Sequence, residues 1–224
     1  MGNIQAVVFD WNGTLLADAH ACWETDNEVL KKFGGKPISF KTFRDTFIIP
    51  SWEFYKKHGI PIKKQEEVHE EMTKTFHEFY EKRAKGCRTR RHAKCVLEYI
   101  QKRGAETSIL SNHTVAGIEF QLERLGLEEN IDLLIANSEK GASFKARNKG
   151  DKMKDYLEQR GYDPGKVIIV GDAPEEVEIG KSLKVRTVAI TDGYYSTKRL
   201  KEAKPDKLIT NLEEIKYIFD KWNS

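Results

Sequence analysis

At 224 residues the chain suits one large domain, or a domain carrying an insertion, and can bury a core without disulfide or metal staples. Hydrophobic residues make up 39% and charged residues 33%, a folded composition that excludes a disordered chain. The 38 basic and 35 acidic residues nearly cancel to +3 with no basic block, which argues against nucleic acid and leaves small anionic substrates compatible.

The opening segment Gln5–Phe9 is short and unbroken in its apolar run, as expected of a strand covered on both faces, and it stops at Asp10-Trp11-Asn12-Gly13-Thr14. Helical patterning follows from Leu15 to about Phe33, where Gly34-Gly35-Lys36-Pro37 ends it. Short helices are predicted around Phe40–Phe47 and Ser51–Lys57, then one long helix from Lys63 to about Lys85. Its apolar stripe is Val68, Met72, Phe76 and Phe79. No strand signal occurs between Leu15 and Gly86. Beyond Gly86, helices near His92–Arg103, Val115–Leu125, Asp151–Arg160 and Glu175–Leu183 alternate with strands at Glu106–Leu110, Asp132–Ala136, Lys166–Val170 and Arg186–Ile190. A last strand at Lys207–Ile209 leads to Asn211, an N-cap for a closing helix. The alternation predicts an α/β fold, a doubly wound, Rossmann-like parallel sheet with an inserted α-helical unit.

The longest apolar runs, Ala6–Phe9 and Val167–Val170, are strand-sized, so no membrane span is expected. Cys22, Cys87 and Cys95 are too few and too scattered for a disulfide framework or a zinc site and read as reduced thiols. Met1-Gly2-Asn3-Ile4 enters a strand with no secretory n-region, and a cytoplasmic location is expected.

In a doubly wound sheet, ligands sit beyond the carboxyl ends of the strands at the point where the strand order reverses. Three strands end there in polar residues, Asp10, Ser111 and Asp172. The sheet therefore brings two carboxylates and a hydroxyl to one crevice. Each alone reads equally well as a helix cap.

These residues resemble the haloacid dehalogenase-like hydrolases. Asp10-Trp11-Asn12-Gly13-Thr14-Leu15 looks like the family's DxDGT strand end, and Ser111 after Ser108-Ile109-Leu110 like its second motif. Lys149 in Asn148-Lys149-Gly150 looks like the third. Gly171-Asp172 with Glu176 looks like the fourth, GDxxxD with Glu in the last place. The resemblance implies a catalytic core of residues 1–15 plus 87–224 and a helical cap of residues 16–86. It makes Asp10 the nucleophile that forms an aspartyl-phosphate, with Ser111, Asn112 and Lys149 binding the phosphoryl group. Magnesium would be held by Asp10, the backbone carbonyl of Asn12, Asp172 and Glu176, with Glu176 acting through a water. Lys145 is the alternative to Lys149. A small phosphorylated metabolite is the implied partner, with no nucleic acid and no membrane, for a monomer or small homo-oligomer. As a lid, the cap would hinge near Leu15–Ala17 and near Ala84–Arg88, with Trp23 and the Pro50–Trp52 loop as candidates for contacting substrate.

The family's phosphatases carry a second aspartate two residues after the nucleophile, and here that position is Asn12. An amide cannot exchange a proton at neutral pH, so the aid of a general acid–base group is at risk. Three readings remain open: a slow phosphatase, a hydrolase of the phosphonate or haloacid type, and a phospholigand-binding protein without turnover. On the first, Asn12→Asp is expected to raise turnover about tenfold or more.

Overall fold

Ala6–Phe9 (β1) is apolar at every position and fully buried, which places it in the middle of the sheet. The computed structural model describes residues 3–139 and 148–223. The other strands are β2 (Glu106–Thr114), β3 (Leu133–Asn137), β4 (Val167–Gly171), β5 (Arg186–Ile190) and β6 (Lys207–Ile209). All six run parallel in the order β3-β2-β1-β4-β5-β6. Phe9 lies between Ile109 of β2 and Val170 of β4. The strand order reverses between β1 and β4, so the residues that follow these two strands, Asp10 and Asp172, flank the switch point.

Five helices fill residues 19–84 after β1: α1 (Ala19–Phe33), α2 (Phe40–Thr46), α3 (Ser51–Lys57), α4 (Ile62–Glu67) and α5 (His69–Ala84). Among the described residues this stretch contains no strand. The sheet is then covered on both faces. One carries α6 (Ala93–Gln101), α7 (Val115–Leu125) and, from the C-terminal end, Ile215, Ile218 and Phe219, packed on Phe9, Ile109 and Val170. The other carries α8 (Lys149–Arg160) and α9 (Pro174–Leu183), packed through Met153, Leu157 and Ile179 on Val8 and Ile169. Each such aliphatic side chain contributes roughly 1.5–3 kcal/mol by leaving water. The chain closes with α10 (Thr197–Ala203) and α11 (Glu214–Asn223), ahead of which Asn211 Oδ1 accepts from the Glu213 N–H at 3.0 Å.

Two helices differ from their sequence patterns. The long helix is broken at Val68, whose φ of −119° and ψ of 19° separate α4 from α5. Buried Gln65 anchors α4 by donating to the carbonyls of Trp52 (3.0 Å) and Ile60 (2.7 Å), while α5 turns away to pack along α1. The buried stripe of α5 also runs Met72, Phe76 and Tyr80, leaving Phe79 36% exposed. The other difference is at the start of α1. Leu15, Leu16 and Asp18 precede the helix because Leu15 and Leu16 are drawn into the sheet core. There the two chain crossings pair with each other: the Ala17 N–H donates to the Arg88 carbonyl at 2.9 Å and the Arg90 N–H to the Leu15 carbonyl at 2.8 Å.

The inserted helices share an aromatic core of Phe33, Phe43, Phe54 and Tyr80 that extends onto Tyr194 and Tyr195 in the loop after β5. Phe47 and Tyr194 meet edge-on across this junction with ring centres 5.2 Å apart. No described helix is long and apolar enough to cross a membrane.

Candidate active site

Asp10 leaves the sheet with its N–H donating to the Val170 carbonyl at 2.8 Å. The next residues fold tightly, because the Trp11 carbonyl accepts from the N–H groups of Thr14, Leu15 and Leu16 at 3.3, 3.0 and 2.9 Å. Gly13 sits at φ +78°, and a Cβ there would overlap the Asp172 carboxylate, so both conformation and space require glycine. The Thr14 hydroxyl donates to Asp10 Oδ2 at 3.1 Å and stands 3.4 Å from Asp172 Oδ1. Arg90 clamps the loop from below, donating to the carbonyls of Gly13 (2.9 Å) and Thr191 (2.8 Å). Arg90 carried no signal in the sequence.

Lys149 begins α8 and reaches across the crevice. Its Nζ lies 2.5 Å from both Asp10 Oδ1 and Glu176 Oε1, and all three side chains are buried. Burial opposes the ammonium charge, but Asp10 and Glu176 outweigh it and hold Lys149 well above the usual lysine range. Glu176 Oε2 also accepts from the Ala173 N–H at 3.2 Å, which ties it to the first turn of α9. A Cβ on Gly171 would overlap that same carboxylate. Asp172 accepts from the Tyr194 N–H at 2.5 Å, and Gly193 is another position where a Cβ would strike Asp172. Lys145 lies outside the described residues.

The charge count here is unbalanced. Among the described residues, three buried carboxylates, Asp10, Asp172 and Glu176, face one ammonium. Burial, and then the negative charges of Asp10 and Glu176, push the Asp172 carboxyl well above the ordinary carboxylate range. A divalent hard cation would relieve this surplus, and the carboxylates of Asp10 and Asp172 with a nearby backbone carbonyl are the oxygen donors it prefers. Among the described residues no group of three Asp, Glu, His or Cys side chains is arranged as a metal cage.

On the other side of Asp10, β2 continues past Leu110 through Ser111, Asn112 and His113 to Thr114. Ser111 is buried and its Oγ accepts from the His113 N–H at 3.0 Å. The cap of α7 is Thr114, whose hydroxyl accepts from the Gly117 N–H at 3.2 Å, so Ser111 is not the capping residue. Asn112 Nδ2 lies 3.3 Å from Glu175 Oε2. Nδ1 of His113 accepts from the Thr114 N–H at 2.7 Å. Asp10, Asn12, Ser111, Asn112, Lys149, Asp172 and Glu176 all line one cavity of about 170 Å³, under the inserted helices.

Residues 7–190 match the family model described as haloacid dehalogenase-like hydrolase. The chain belongs to the haloacid dehalogenase-like hydrolases. Pyrophosphatase PpaX of Oceanobacillus iheyensis is 23% identical over 227 residues, spanning 95% of both chains. Phosphoglycolate phosphatase of Synechococcus elongatus is 22% identical over 206 residues, 92% of each chain. The fold is shared with a protein of Clostridium acetobutylicum described as a predicted phosphatase, at TM-score 0.82 and 16% identity, over 98% of this chain and 100% of the other.

In this haloacid dehalogenase-like hydrolase Asn12 is held in a buried hydrogen-bond network. Its Nδ2 donates to Asp18 Oδ2 at 2.8 Å and lies 2.7 Å from the Tyr80 hydroxyl. Asp18 is fully buried and also accepts from the hydroxyls of Tyr80 (2.5 Å) and Tyr194 (2.7 Å) and from the Gly13 N–H (2.8 Å). Burial first, and then the Asp18 carboxylate, drives both phenols well above their ordinary range, so both remain donors. Asp18 precedes α1, where an aspartate reads as a cap, yet its side chain caps nothing and turns back to the loop. No spacing in the sequence marked Asp18, Tyr80 or Tyr194.

Of the residues proposed to contact substrate from the insertion, Trp23 does not line the cavity; its Nε1 donates to the Ile38 carbonyl at 2.8 Å. Of the Pro50–Trp52 loop Ser51 lines it, while Pro50 and Trp52 do not; Ile49, just before the loop, lines it as well. A further lining residue is Asp26 of α1, which is 2% exposed and accepts from the Tyr55 hydroxyl at 2.7 Å. Burial raises its carboxyl from 3.8 to about 7. The folded state therefore holds this proton while the unfolded chain has released it, so stability falls as pH rises from about 4 to 7 and then levels off. The full difference is about 4 kcal/mol. Asp26→Asn removes it, and the variant's stability relative to wild type in urea unfolding is expected to improve steadily between pH 5 and pH 8. A relative stability that stays flat across that interval would mean that the carboxyl is ionised throughout.

Proposed function

We propose that this hydrolase is a magnesium-dependent phosphatase of small phosphorylated metabolites, acting through an aspartyl-phosphate on Asp10. The observation that carries this reading is Lys149 Nζ held 2.5 Å from Asp10 Oδ1 with Asp172 alongside, at the point where the strand order reverses. A carboxylate attacks phosphorus only when it is held in line and the charge of the phosphoryl group is neutralised. Thr14 and Lys149 fix the Asp10 carboxylate, and the Lys149 ammonium offsets charge as the phosphoryl group moves onto it. The Ser111 hydroxyl and the Asn112 backbone N–H donate to phosphoryl oxygens. Magnesium, held by Asp10, Asp172 and the Asn12 carbonyl, would supply further charge neutralisation. Glu176 is committed to Lys149 and the Ala173 N–H, and its part is to position the lysine. Asn12 donates hydrogen bonds but cannot give up its proton, so the leaving oxygen departs without an acid and acidic alcohols are favoured.

Residues 16–86 serve as the cap over residues 1–15 and 87–224, and their helices close the cavity that holds Asp10. The reduced thiols of Cys22, Cys87 and Cys95 suit the cytoplasm. A binding protein without turnover is the second reading, favoured by the amide at Asn12. The two separate in one assay. Phosphate release from p-nitrophenyl phosphate should require magnesium, stop with EDTA, and leave a phosphoryl adduct on the Asp10 peptide after rapid quenching. Release that is indifferent to EDTA, or an adduct on another residue, overturns the mechanism; ligand-induced stabilisation with no release establishes the second reading.

A further inference from the structure

Both hydrogens of the Asn12 amide are committed. Nδ2 donates one to Asp18 Oδ2 at 2.8 Å and the other to the Tyr80 hydroxyl oxygen at 2.7 Å. That hydroxyl in turn donates to the same Asp18 oxygen at 2.5 Å, which closes a cycle of hydrogen bonds with one direction. A carboxylate can only accept. Turning the amide over would therefore set Oδ1 against Asp18 Oδ2, acceptor against acceptor, and cost the buried carboxylate a donor. Each partner is also fixed from outside the cycle. Asp18 takes the Gly13 N–H at 2.8 Å and the Tyr194 hydroxyl at 2.7 Å. The Tyr80 ring stacks on Phe76 with centres 5.6 Å apart and planes 8° apart, and meets the His113 ring at 5.7 Å.

Asn12 is half-buried and lines the cavity that holds Asp10. With Nδ2 turned to Asp18 and Tyr80, the amide offers that cavity its oxygen. An acceptor there treats the two halves of the reaction differently. In an in-line displacement at phosphorus, the leaving alcohol and later the attacking water occupy the same position, opposite Asp10. A departing alkoxide or phenolate gathers negative charge and has no hydrogen to give, so Oδ1 offers it nothing. A water does have hydrogens, and an acceptor orients it. In this second half the water oxygen bonds phosphorus while the bond from phosphorus to the Asp10 oxygen breaks, its electron pair returning to the Asp10 carboxylate. The water's protons leave with the product as dihydrogen phosphate, one of them passing to a phosphoryl oxygen. Asn12 takes none.

Resting on the phosphatase reading above, we infer that Asn12 is a catalytic residue for hydrolysis of the aspartyl-phosphate, orienting the attacking water through Oδ1, and that Asp18 and Tyr80 are positioning residues that hold the amide this way round. The test separates the two halves. Rapid quenching with radiolabelled p-nitrophenyl phosphate and magnesium gives the rate at which the Asp10 adduct forms. A chase with unlabelled ester gives the rate at which the preformed adduct decays. Asn12→Ala keeps the backbone carbonyl and removes only the amide. It should slow decay about tenfold, the worth of one hydrogen bond, while formation holds or quickens. Tyr80→Phe frees one amide hydrogen and should slow decay about threefold or more. Its effect on decay should exceed that of Tyr194→Phe, which takes a donor from Asp18 alone and calibrates the structural loss by melting temperature. Unchanged decay in Asn12→Ala, or formation slowed as much as decay in both Asn12→Ala and Tyr80→Phe, overturns the inference and leaves the phosphatase reading standing. A wild-type protein that forms no adduct removes the phosphatase reading and the inference with it.

Discussion

Asp10→Asn is expected to lower kcat toward phosphomonoesters on the order of 10⁴-fold or more while the protein stays folded. The loss is chemical: an amide oxygen in the same place does not form the acyl-phosphate. Folding survives because Lys149 keeps its bond to Glu176 at 2.5 Å and Thr14 retains an oxygen acceptor at position 10. Burial raises the Asp10 carboxyl above its ordinary range even with Lys149 beside it, so its charge costs stability in the folded state. Removing that charge should leave the melting temperature unchanged or raise it. Wild-type turnover in the variant would overturn Asp10 as the nucleophile. A collapse in melting temperature would show that the carboxylate is needed to hold Lys149 in place.

The second large effect concerns Asn12. Read from the family pattern alone, Asn12→Asp should restore the missing acid–base group and a tenfold gain. The surroundings of the side chain change that expectation. An oxygen replacing Nδ2 would lie about 2.8 Å from Asp18 Oδ2, and two carboxylates at that distance cannot both be ionised. The single substitution turns a donor into an acceptor and costs about 1–3 kcal/mol of stability. One proton then becomes trapped between the two groups. Asp18→Asn supplies a donor in return. The double variant is therefore expected to exceed Asn12→Asp by about tenfold or more in kcat for alkyl phosphates, but not to regain wild-type stability, because Asp18 Oδ2 is also the acceptor for the Tyr80 and Tyr194 hydroxyls. A double-mutant cycle on kcat and on urea unfolding measures the coupling. Additive effects of the two substitutions would mean that positions 12 and 18 act independently.

The sheet and its crevice were legible because their signals are local. Unbroken apolar runs at Ala6–Phe9 and Val167–Val170 mark strands buried on both faces, Asp10 and Asp172 are read from where those runs end, and Ser111 from the end of Ser108-Ile109-Leu110. Lys149 could be chosen by the place the resemblance gives it, just before the helix predicted from Asp151; it is the first residue of α8, and the structure sets it against Asp10. The hub at Asp18 was not legible. Tyr80 and Tyr194 lie 62 and 176 residues from it, so only the packing of the insertion on the loop after β5 brings them together. Arg90 escaped for the same reason, since its partners are backbone carbonyls that leave no mark on residue type. The exchange of Phe79 for Tyr80 on the buried face of α5 has a simpler cause. A strict 4-residue step from Val68 through Met72 and Phe76 reaches position 80, and the polar end of Tyr80 finds Asp18 there.

The pairing of the two chain crossings also limits how the helices can travel. Independent linkers would let the insertion swivel and slide in any direction. Here the Ala17 to Arg88 and Arg90 to Leu15 hydrogen bonds join both crossings into one short ribbon. A ribbon bends easily across its flat face and resists shear within its plane. For residues 19–84 acting as the proposed cap, such a ribbon favours rotation about its own line over sliding across the sheet. A cap closing about that line would bring the Tyr80 hydroxyl back to Asp18 Oδ2, the same atom that orients the Asn12 amide.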